Sequence, residues 1–405
     1  MTGGAPQPID ICVVASGDWA SFSRVNCHEI AARWTAFGRV CYIEPAPMRA
    51  PRRHDLRRLG SRLSRVFATA QPPGGVAEPS SVEVVAPLFV PWEPVSCVRA
   101  WNVYTAARAV RRRAARLSWP FSFDVLWFFS LPLVGLEECV PHRLVVYHAV
   151  DDYAANPGVR RNLLRRRERE LLSRADVVFA ASEPLAARLR ERHQNVVVWE
   201  NVSDTTLLLA SRPSSGNAVP QSRRSLAVYV GNLAAHKVDF PLVLEVVRRL
   251  GDWDFVLAGP VGDLPEAGRH LLREPNVRYV GPVNRADLPR MFEHADVALL
   301  PTPAGELHDS SFPIKLFDYL ALGLPVVGRR TTPLMRFGDV IVHAGTVSEY
   351  VPAMEQARQL RQQASFRRRA QELARRNSWS DRIGALEGFL RKELVGKPLR
   401  DLPTT

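Results

Sequence analysis

Short aliphatic and β-branched runs alternate with longer stretches of mixed polarity along nearly the whole chain. In the first half these runs fall at residues 9–15, 40–43, 82–85, 125–129, 144–147, 177–180 and 196–199. In the second half they fall at 226–230, 255–258, 277–280, 297–300, 325–327 and 340–343. Runs such as Ile11-Cys12-Val13-Val14 are apolar at every position rather than at alternate ones. That is the pattern of strands covered on both faces of a parallel sheet. Strands separated by helical stretches predict an α/β, doubly wound fold, and six or seven strands on each side predict two such domains. The stretch 207–225 contains Ser-Arg-Pro-Ser-Ser-Gly-Asn, has no apolar period and reads as a linker. The expected organisation is an N-terminal domain over 1–206, a second domain over 226–376, and a C-terminal helix and tail over 377–405.

The 405 residues suffice for two cores, and the 46% hydrophobic and 23% charged fractions are those of a globular protein. No apolar run approaches the roughly 18 residues that span a bilayer. Met1 to Ile9 is polar and shows no secretory signal, so the expected location is the cytoplasm. The five cysteines (Cys12, Cys27, Cys41, Cys97 and Cys139) are scattered and form no C-x-x-C, which argues against a disulfide framework or a zinc site. They read as small buried hydrophobes.

The formal net charge is +13, most of the basic excess being arginine. Such a balance fits an anionic partner: nucleic acid, anionic lipid or a phosphorylated small molecule. Arginine-rich codon usage produces the same balance, so charge alone does not choose. In one basic segment Leu56, Leu59, Leu63, Val66 and Phe67 recur at helical spacing among Arg57, Arg58, Arg62 and Arg65. A second runs from Arg99 to Arg116 with Trp101, Val103 and Val110 interleaved. Each fits either a solvated surface helix or a helix lying on an anionic membrane at the inner face of the cell.

In an open α/β sheet, ligands bind beyond the carboxyl ends of the strands. After 226–230 comes Gly231-Asn232, with Lys237 six residues on; after 255–258 comes Gly259-Pro260-Val261-Gly262. Glycines there let the backbone approach a bound group, and the lysine is in reach of a phosphate. Neither turn is G-x-G-x-x-G or a Walker loop. After 297–300 comes a polar loop holding Glu306, His308, Asp309, Ser310 and Ser311, then Phe312 to Val327. Pro313 is expected at a helix start, where free N–H groups and the helix dipole would cradle a diphosphate. Lys315 falls in that first turn, and Asp318 one turn later is placed to accept hydrogen bonds from a vicinal diol.

The segment Phe312–Val327 resembles the P-x-K-x-x-E-Y-x-A-x-G-x-P-V-V signature of GT-B glycosyltransferases, closest to bacterial teichuronic-acid, capsule and exopolysaccharide enzymes. Tyr229-Val230-Gly231-Asn232-Leu233, Asn276-Val277 through Gly281, Ala295-Asp296-Val297, Asp151-Asp152-Tyr153, Ala175-Asp176-Val177 through Ser182, and Asn377-Ser378-Trp379 with Arg382 are similar to further elements of that family, in the same order. The resemblance implies two Rossmann-like domains facing across a cleft, with a C-terminal helix crossing back to the first. It implies transfer of a sugar from a nucleotide-diphosphate sugar, without metal or other cofactor. In that family the lysine meets the diphosphate and the acid holds the ribose, which maps onto Lys315 and Asp318. Here Asp318 replaces the usual Glu, Ser310 stands where the family has a second glutamate, and Asn232 stands where many relatives have Arg. The implied donor-binding set is Gly231, Asn232, Lys237, Gly259, His308, Ser310, Pro313, Lys315 and Asp318.

An inverting transferase needs a base near the acceptor hydroxyl. Asp151 matches the family position of that group, with Asp152 and His148 as neighbours able to serve; each carboxylate could equally cap the next helix. Asp18 and Arg24, after the first strand, are candidates to line the acceptor side. The expected partners are a nucleotide-sugar donor, a hydroxyl acceptor (a lipid-linked glycan among the candidates) and an anionic membrane surface. The competing readings are a nucleotide-sugar epimerase on the same fold, a basic nucleic-acid-binding protein, which no sequence motif supports, and a non-catalytic scaffold.

Overall fold

A computed structural model describes residues 7–21, 24–46, 82–90, 96–155, 159–210, 224–262 and 264–400. The basic segment at 56–67 and most of the expected linker lie outside the described residues. The chain divides into two compact units: one of residues up to Trp199 together with Ile383 onward, the other Glu200–Arg382.

Among its described residues the first unit holds seven strands: β1 (Ile11–Val14), β2 (Val40–Ile43), β3 (Val82–Val85), β4 (Phe123–Phe128), β5 (His142–Ala149), β6 (Val177–Ala180) and β7 (Val196–Val198). Its helices are α1 (Asn26–Trp34), α2 (Ser96–Arg116), α3 (Arg161–Leu172) and α4 (Glu183–Arg190). All pairings are parallel, in the order β3-β2-β1-β4-β5-β6-β7. The residues of β1, β2 and β6 are buried throughout, as their unbroken apolar runs require.

The second unit repeats the plan. Its strands are β8 (Ser225–Val230), β9 (Trp253–Ala258), β10 (Val277–Tyr279), β11 (Val297–Leu300), β12 (Val326–Gly328) and β13 (Ile341–His343). They pair parallel in the order β10-β9-β8-β11-β12-β13. The helices are α5 (Thr206–Ala210), α6 (Phe240–Arg249), α7 (Glu266–Leu271), α8 (Leu288–Met291), α9 (Glu306–Ser310), α10 (Lys315–Ala321), α11 (Val347–Arg361) and α12 (Ala364–Arg376); α13 (Trp379–Leu394) begins in this unit and belongs to the first unit from Ile383 onward. In both sheets the strand order reverses beside the first strand, between β1 and β4 and between β8 and β11. Such switch points leave a crevice at the carboxyl ends.

Local chemistry starts the helices where the fold needs them. Ser182 accepts the Leu185 N–H at 3.4 Å ahead of α4, and Asp239 accepts the Leu242 N–H at 3.2 Å ahead of α6, each with proline in the first turn. Thr346 and Glu349 form a capping box on α11. Cys12, Cys27 and Cys41 are buried as expected, whereas Cys139 is half-buried and Cys97 is exposed on α2. Among the described residues no helix is long and apolar enough to cross a membrane.

The units divide at Trp199/Glu200, ahead of the border expected at 206/207. The cause is side-chain bonding of the intervening segment within the second unit. Asn201 donates to the Phe312 carbonyl at 3.3 Å, Ser203 bonds Asp318, and Thr205 donates to the Ala374 carbonyl at 3.3 Å. At the other end, residues from Ile383 onward belong to the first unit, six residues past the expected start of the C-terminal element. Phe389 meets Phe179 edge-on at 5.4 Å. Arg143 donates to the carbonyls of Leu394 at 2.9 Å and Lys397 at 3.0 Å, while Asp176 pairs with Lys397 at 2.8 Å and with Arg400.

Burial works to raise the Asp176 carboxyl, but Lys397, the Val145 N–H and Arg400 outweigh it and hold the group below the usual carboxylate range. A depressed folded value stabilises above the unfolded pKa near 3.9, and the gain is lost as pH falls from there through the folded value. Hydrogen exchange of residues 383–400 should therefore accelerate below about pH 4. Asp176→Asn should produce the faster exchange at neutral pH and remove the acid step.

Candidate active site

At the carboxyl end of β8 the chain turns through Gly231, with φ +145, beside the turn at Gly259, with φ +134. The two backbones touch: a Cβ on Gly259 would lie 2.0 Å from the Gly231 carbonyl oxygen. The bare face of Gly231 admits Lys315, because a Cβ there would lie 2.4 Å from Nζ. The Lys315 ammonium donates to the Tyr229 hydroxyl at 3.0 Å and sits 4.2 Å from that ring's centroid. The Tyr229 hydroxyl donates onward to the Asn232 carbonyl at 3.1 Å. From α10, Tyr319 accepts the Val230 N–H at 2.9 Å and fixes the end of β8. Lys315 is half-buried, and burial pushes its ammonium down to about 8, the charge of Asp318 opposing the shift.

Lys237 and His308 lie close enough to couple electrostatically. Burial lowers the His308 imidazole, and the charges of Lys237 and His236 lower it further. Burial also raises the Tyr229 phenol, against which Lys237 acts. Asn232 is exposed, and Ser310 donates to the Leu307 carbonyl at 3.1 Å.

Two local expectations are corrected. The expected polar loop contains the short helix α9. The regular helix expected from Pro313 starts at Lys315 with Ile314 as its cap, so Pro313 stands two residues ahead of it, its carbonyl accepting the Leu316 N–H at 3.1 Å, and α10 has seven residues. The ammonium group of Lys315, rather than a long helix dipole, is the positive feature at this turn.

Asp318 is 8% exposed and faces inward. Ser203 donates to it, and Arg285 pairs with it while also reaching the Asp204 carbonyl at 2.8 Å. Burial raises its carboxyl in spite of Arg285 and Ser203. The carboxylate thus anchors the Glu200–Thr205 segment, and a diol would have to compete with a guanidinium for it.

In the first unit Asp151 follows β5 and is half-buried. Asp152 is buried and structural: it accepts the Ala154 N–H at 3.1 Å and pairs with Arg165 at 2.5 Å. Arg165 and Arg188 also grip Glu168, which accepts the Tyr147 hydroxyl at 3.1 Å. The His148 ring is fully buried, stacked 4.8 Å from Phe129 and tilted at 5.5 Å against Phe179, so it presents no exposed face to an acceptor. Of these three, Asp151 alone retains exposure suited to a base. After β1, the Asp18 carbonyl bonds His28 Nε2 at 2.9 Å, and Arg24 pairs with Glu29 at 3.2 Å and lies 5.2 Å over Trp19. The sequence reading missed His28, whose Nδ1 accepts the Val25 N–H at 3.0 Å and whose Nε2 therefore carries the proton toward Asp18. It also missed the roles of Tyr229 and Arg285.

Two doubly wound, all-parallel units in one chain, with glycine turns and a lysine at one switch point, define a GT-B fold. Residues 224–359, within the second unit, match the family model described as Glycosyl transferases group 1. The chain is 28% identical over 217 residues to TuaH of Bacillus subtilis (strain 168), named for a glycosyltransferase role in teichuronic acid biosynthesis. That match covers 50% of this chain and 54% of the relative, so the chain spans about half the length of the curated relative it matches. Among solved structures it is similar to sucrose-phosphate synthase from Thermosynechococcus elongatus (TM-score 0.67, 13% identity), over 96% of this chain and 100% of that one. It is also similar to HepE of Anabaena in complex with UDP and glucose (TM-score 0.61, 14% identity), over 95% and 99%.

The glycine contacts generate a graded prediction. Gly259→Ala forces a Cβ into a backbone carbonyl as well as an unfavourable φ, whereas Gly281, φ +78, has open space around it. Urea denaturation should show Gly259→Ala losing about 3 kcal/mol or more and Gly281→Ala about 1 kcal/mol. Equal losses would place the turns apart.

Proposed function

We propose that the protein is a glycosyltransferase that moves a sugar from a nucleoside-diphosphate sugar to a hydroxyl acceptor. The observation that carries this reading is Lys315. Its ammonium is held over a bare glycine at the carboxyl end of β8, at the switch point of a sheet whose family model is a glycosyltransferase domain. A half-buried ammonium with a tyrosine hydroxyl as its direct partner is incompletely neutralised, and an incoming diphosphate would complete it. The UDP complexes of HepE, similar in fold, support the same donor chemistry.

In this reading the donor diphosphate lies against Gly231 and Gly259, whose backbones permit close approach, with Lys315 and Lys237 meeting its charge. Departure of the nucleoside diphosphate puts negative charge where these ammonium groups stand, and their electrostatic stabilisation is the main catalytic contribution. Asn232, His308, Ser310 and Pro313 border the donor, and Asp318 positions the segment behind it. Asp151 takes the acceptor proton, with Asp18 and Arg24 on the acceptor side. The proposed donor sugar is a hexose, and the proposed acceptor is a growing, lipid-linked polysaccharide at the cytoplasmic face of the membrane. The proposed chemistry uses no metal, because side-chain ammonium groups meet the diphosphate charge.

Nucleoside diphosphates should raise the thermal unfolding midpoint, and the rise should vanish in Lys315→Ala while the fold is kept. No shift with any nucleoside diphosphate would overturn the reading. The free enzyme releases its Lys315 proton near pH 8, whereas a bound diphosphate favours the charged form. Affinity should therefore fall above about pH 8, by up to roughly tenfold per pH unit, in a titration followed by calorimetry. Asp151→Asn should slow transfer about a hundredfold with donor binding unchanged; a loss below about tenfold would assign the base elsewhere.

A further inference from the structure

The exposed face of α2 is built unlike any surface the transfer reading uses. Its inward face buries Asn102, Val103, Ala106, Ala107, Val110 and Ala114. Its outward face carries Trp101, 55% exposed, and Tyr104, 53% exposed, with ring centroids 6.4 Å apart. Asn102 clasps the neighbouring loop through Val90, accepting its N–H at 2.8 Å and donating to its carbonyl at 3.0 Å. That fixes exposed Leu88 and Val90 in the loop that Asn102 holds to the same end of the helix.

Farther along the helix, Arg108 and Arg112 follow Trp101 and Tyr104 at spacings of three to four residues, so all four share one stripe. Both arginines are exposed and make no ion pair among the described residues. Three other arginines of α2 are engaged: Arg99 with Glu170 at 3.1 Å, Arg113 with Glu83, and Arg111 over Phe121; Arg116, at the last position of the helix, is exposed. The helix contains no Asp or Glu. One end of the stripe is therefore aromatic and aliphatic, and the other, about 16 Å away at 1.5 Å per residue, is cationic.

We infer that this face of α2 docks on an anionic lipid bilayer, with Trp101, Tyr104, Leu88 and Val90 entering the interfacial layer and Arg108 and Arg112 resting on lipid phosphates. Indole and phenol rings prefer the headgroup level, and each basic residue near an anionic surface adds to binding. Two features favour lipid over nucleic acid. Aliphatic side chains accompany the rings, and the cations are segregated along the helix rather than interleaved with the aromatics as in single-strand grooves. The inference stands apart from the transfer reading, since none of these residues is in the donor or acceptor set.

The test uses the full chain and vesicles of phosphatidylcholine, with and without phosphatidylglycerol. The protein should float with the anionic vesicles only and be released by salt. Arg108→Glu with Arg112→Glu should weaken binding at least about tenfold. Trp101→Ser with Tyr104→Ser should weaken it severalfold while leaving the salt dependence. Both doubles should keep the wild-type melting midpoint and its shift with nucleoside diphosphate. Equal flotation of wild type and both doubles overturns the inference, as does equal binding to neutral vesicles or stronger salt-sensitive retention on single-stranded RNA. Loss of the nucleoside-diphosphate shift with flotation intact overturns the transfer reading alone.

Discussion

A backbone oxygen of Gly231 occupies the space where any side chain on Gly259 would begin, at 2.0 Å from an added Cβ. The geometry of the candidate site rests on that approach. It brings the ends of β8 and β9 together, and it leaves Gly231 with an uncovered face. Lys315 crosses that face to reach Tyr229. A half-buried ammonium is expensive when its direct partner is a phenol rather than a carboxylate. The ring face and hydroxyl of Tyr229 offset part of that cost, and the remainder appears as an ammonium lowered to about 8. The protein thus holds in place a cation that an anion can stabilise further, which is electrostatic preorganisation in its simplest form.

Carboxylates beside this machinery have a different duty. Asp318 and Asp152 stand where chemistry was expected, yet each is buried and clamped by arginine. Burying a carboxylate is tolerated when its partners are charge-assisted and numerous. Removing Arg285 would leave a buried charge and would also free the Glu200–Thr205 segment. The acid at position 318 therefore secures the backbone of the Glu200–Thr205 segment. Its shorter reach as Asp, where the resembled family has Glu, suits a contact made to Ser203 and Arg285 inside the unit.

The inner strands were legible because burial on both faces writes itself as unbroken apolar runs; the edge strands β3 and β10, which carry Glu83 and Arg278 and are less buried, also fall at the expected positions. Boundaries slipped where polar residues begin a strand. β5 starts at His142 and Arg143, which local apolarity hides because Arg143 finds Asp124 on the neighbouring strand at 2.9 Å. Lys315 and Gly231 were each legible in their own motifs. Their contact was not, since Tyr229 and Lys315 are separated by 86 residues. Pro313 misled for a local reason: proline suits a first helical turn but does not compel it, and here Ile314 caps the helix instead. His28 carried no sequence signal, because its capping bond to Val25 and its bond to Asp18 are properties of a fold already formed.

The net charge of +13 is the least informative number in the sequence until the arginines are sorted by what they touch. Arg165 and Arg188 close on Asp152 and Glu168, Arg285 on Asp318, and Arg143 on Asp124 and two C-terminal carbonyls. These charges are locally compensated and contribute little to the field outside the protein. Arg108 and Arg112 are exposed and have no such partner among the described residues, so their field reaches into solvent over a Debye length of about 8–10 Å. Long-range attraction to an anionic surface follows from the second kind of arginine, not from the total. A sequence-level excess of basic residues therefore becomes a binding argument only once the structure shows which cations are left to bind.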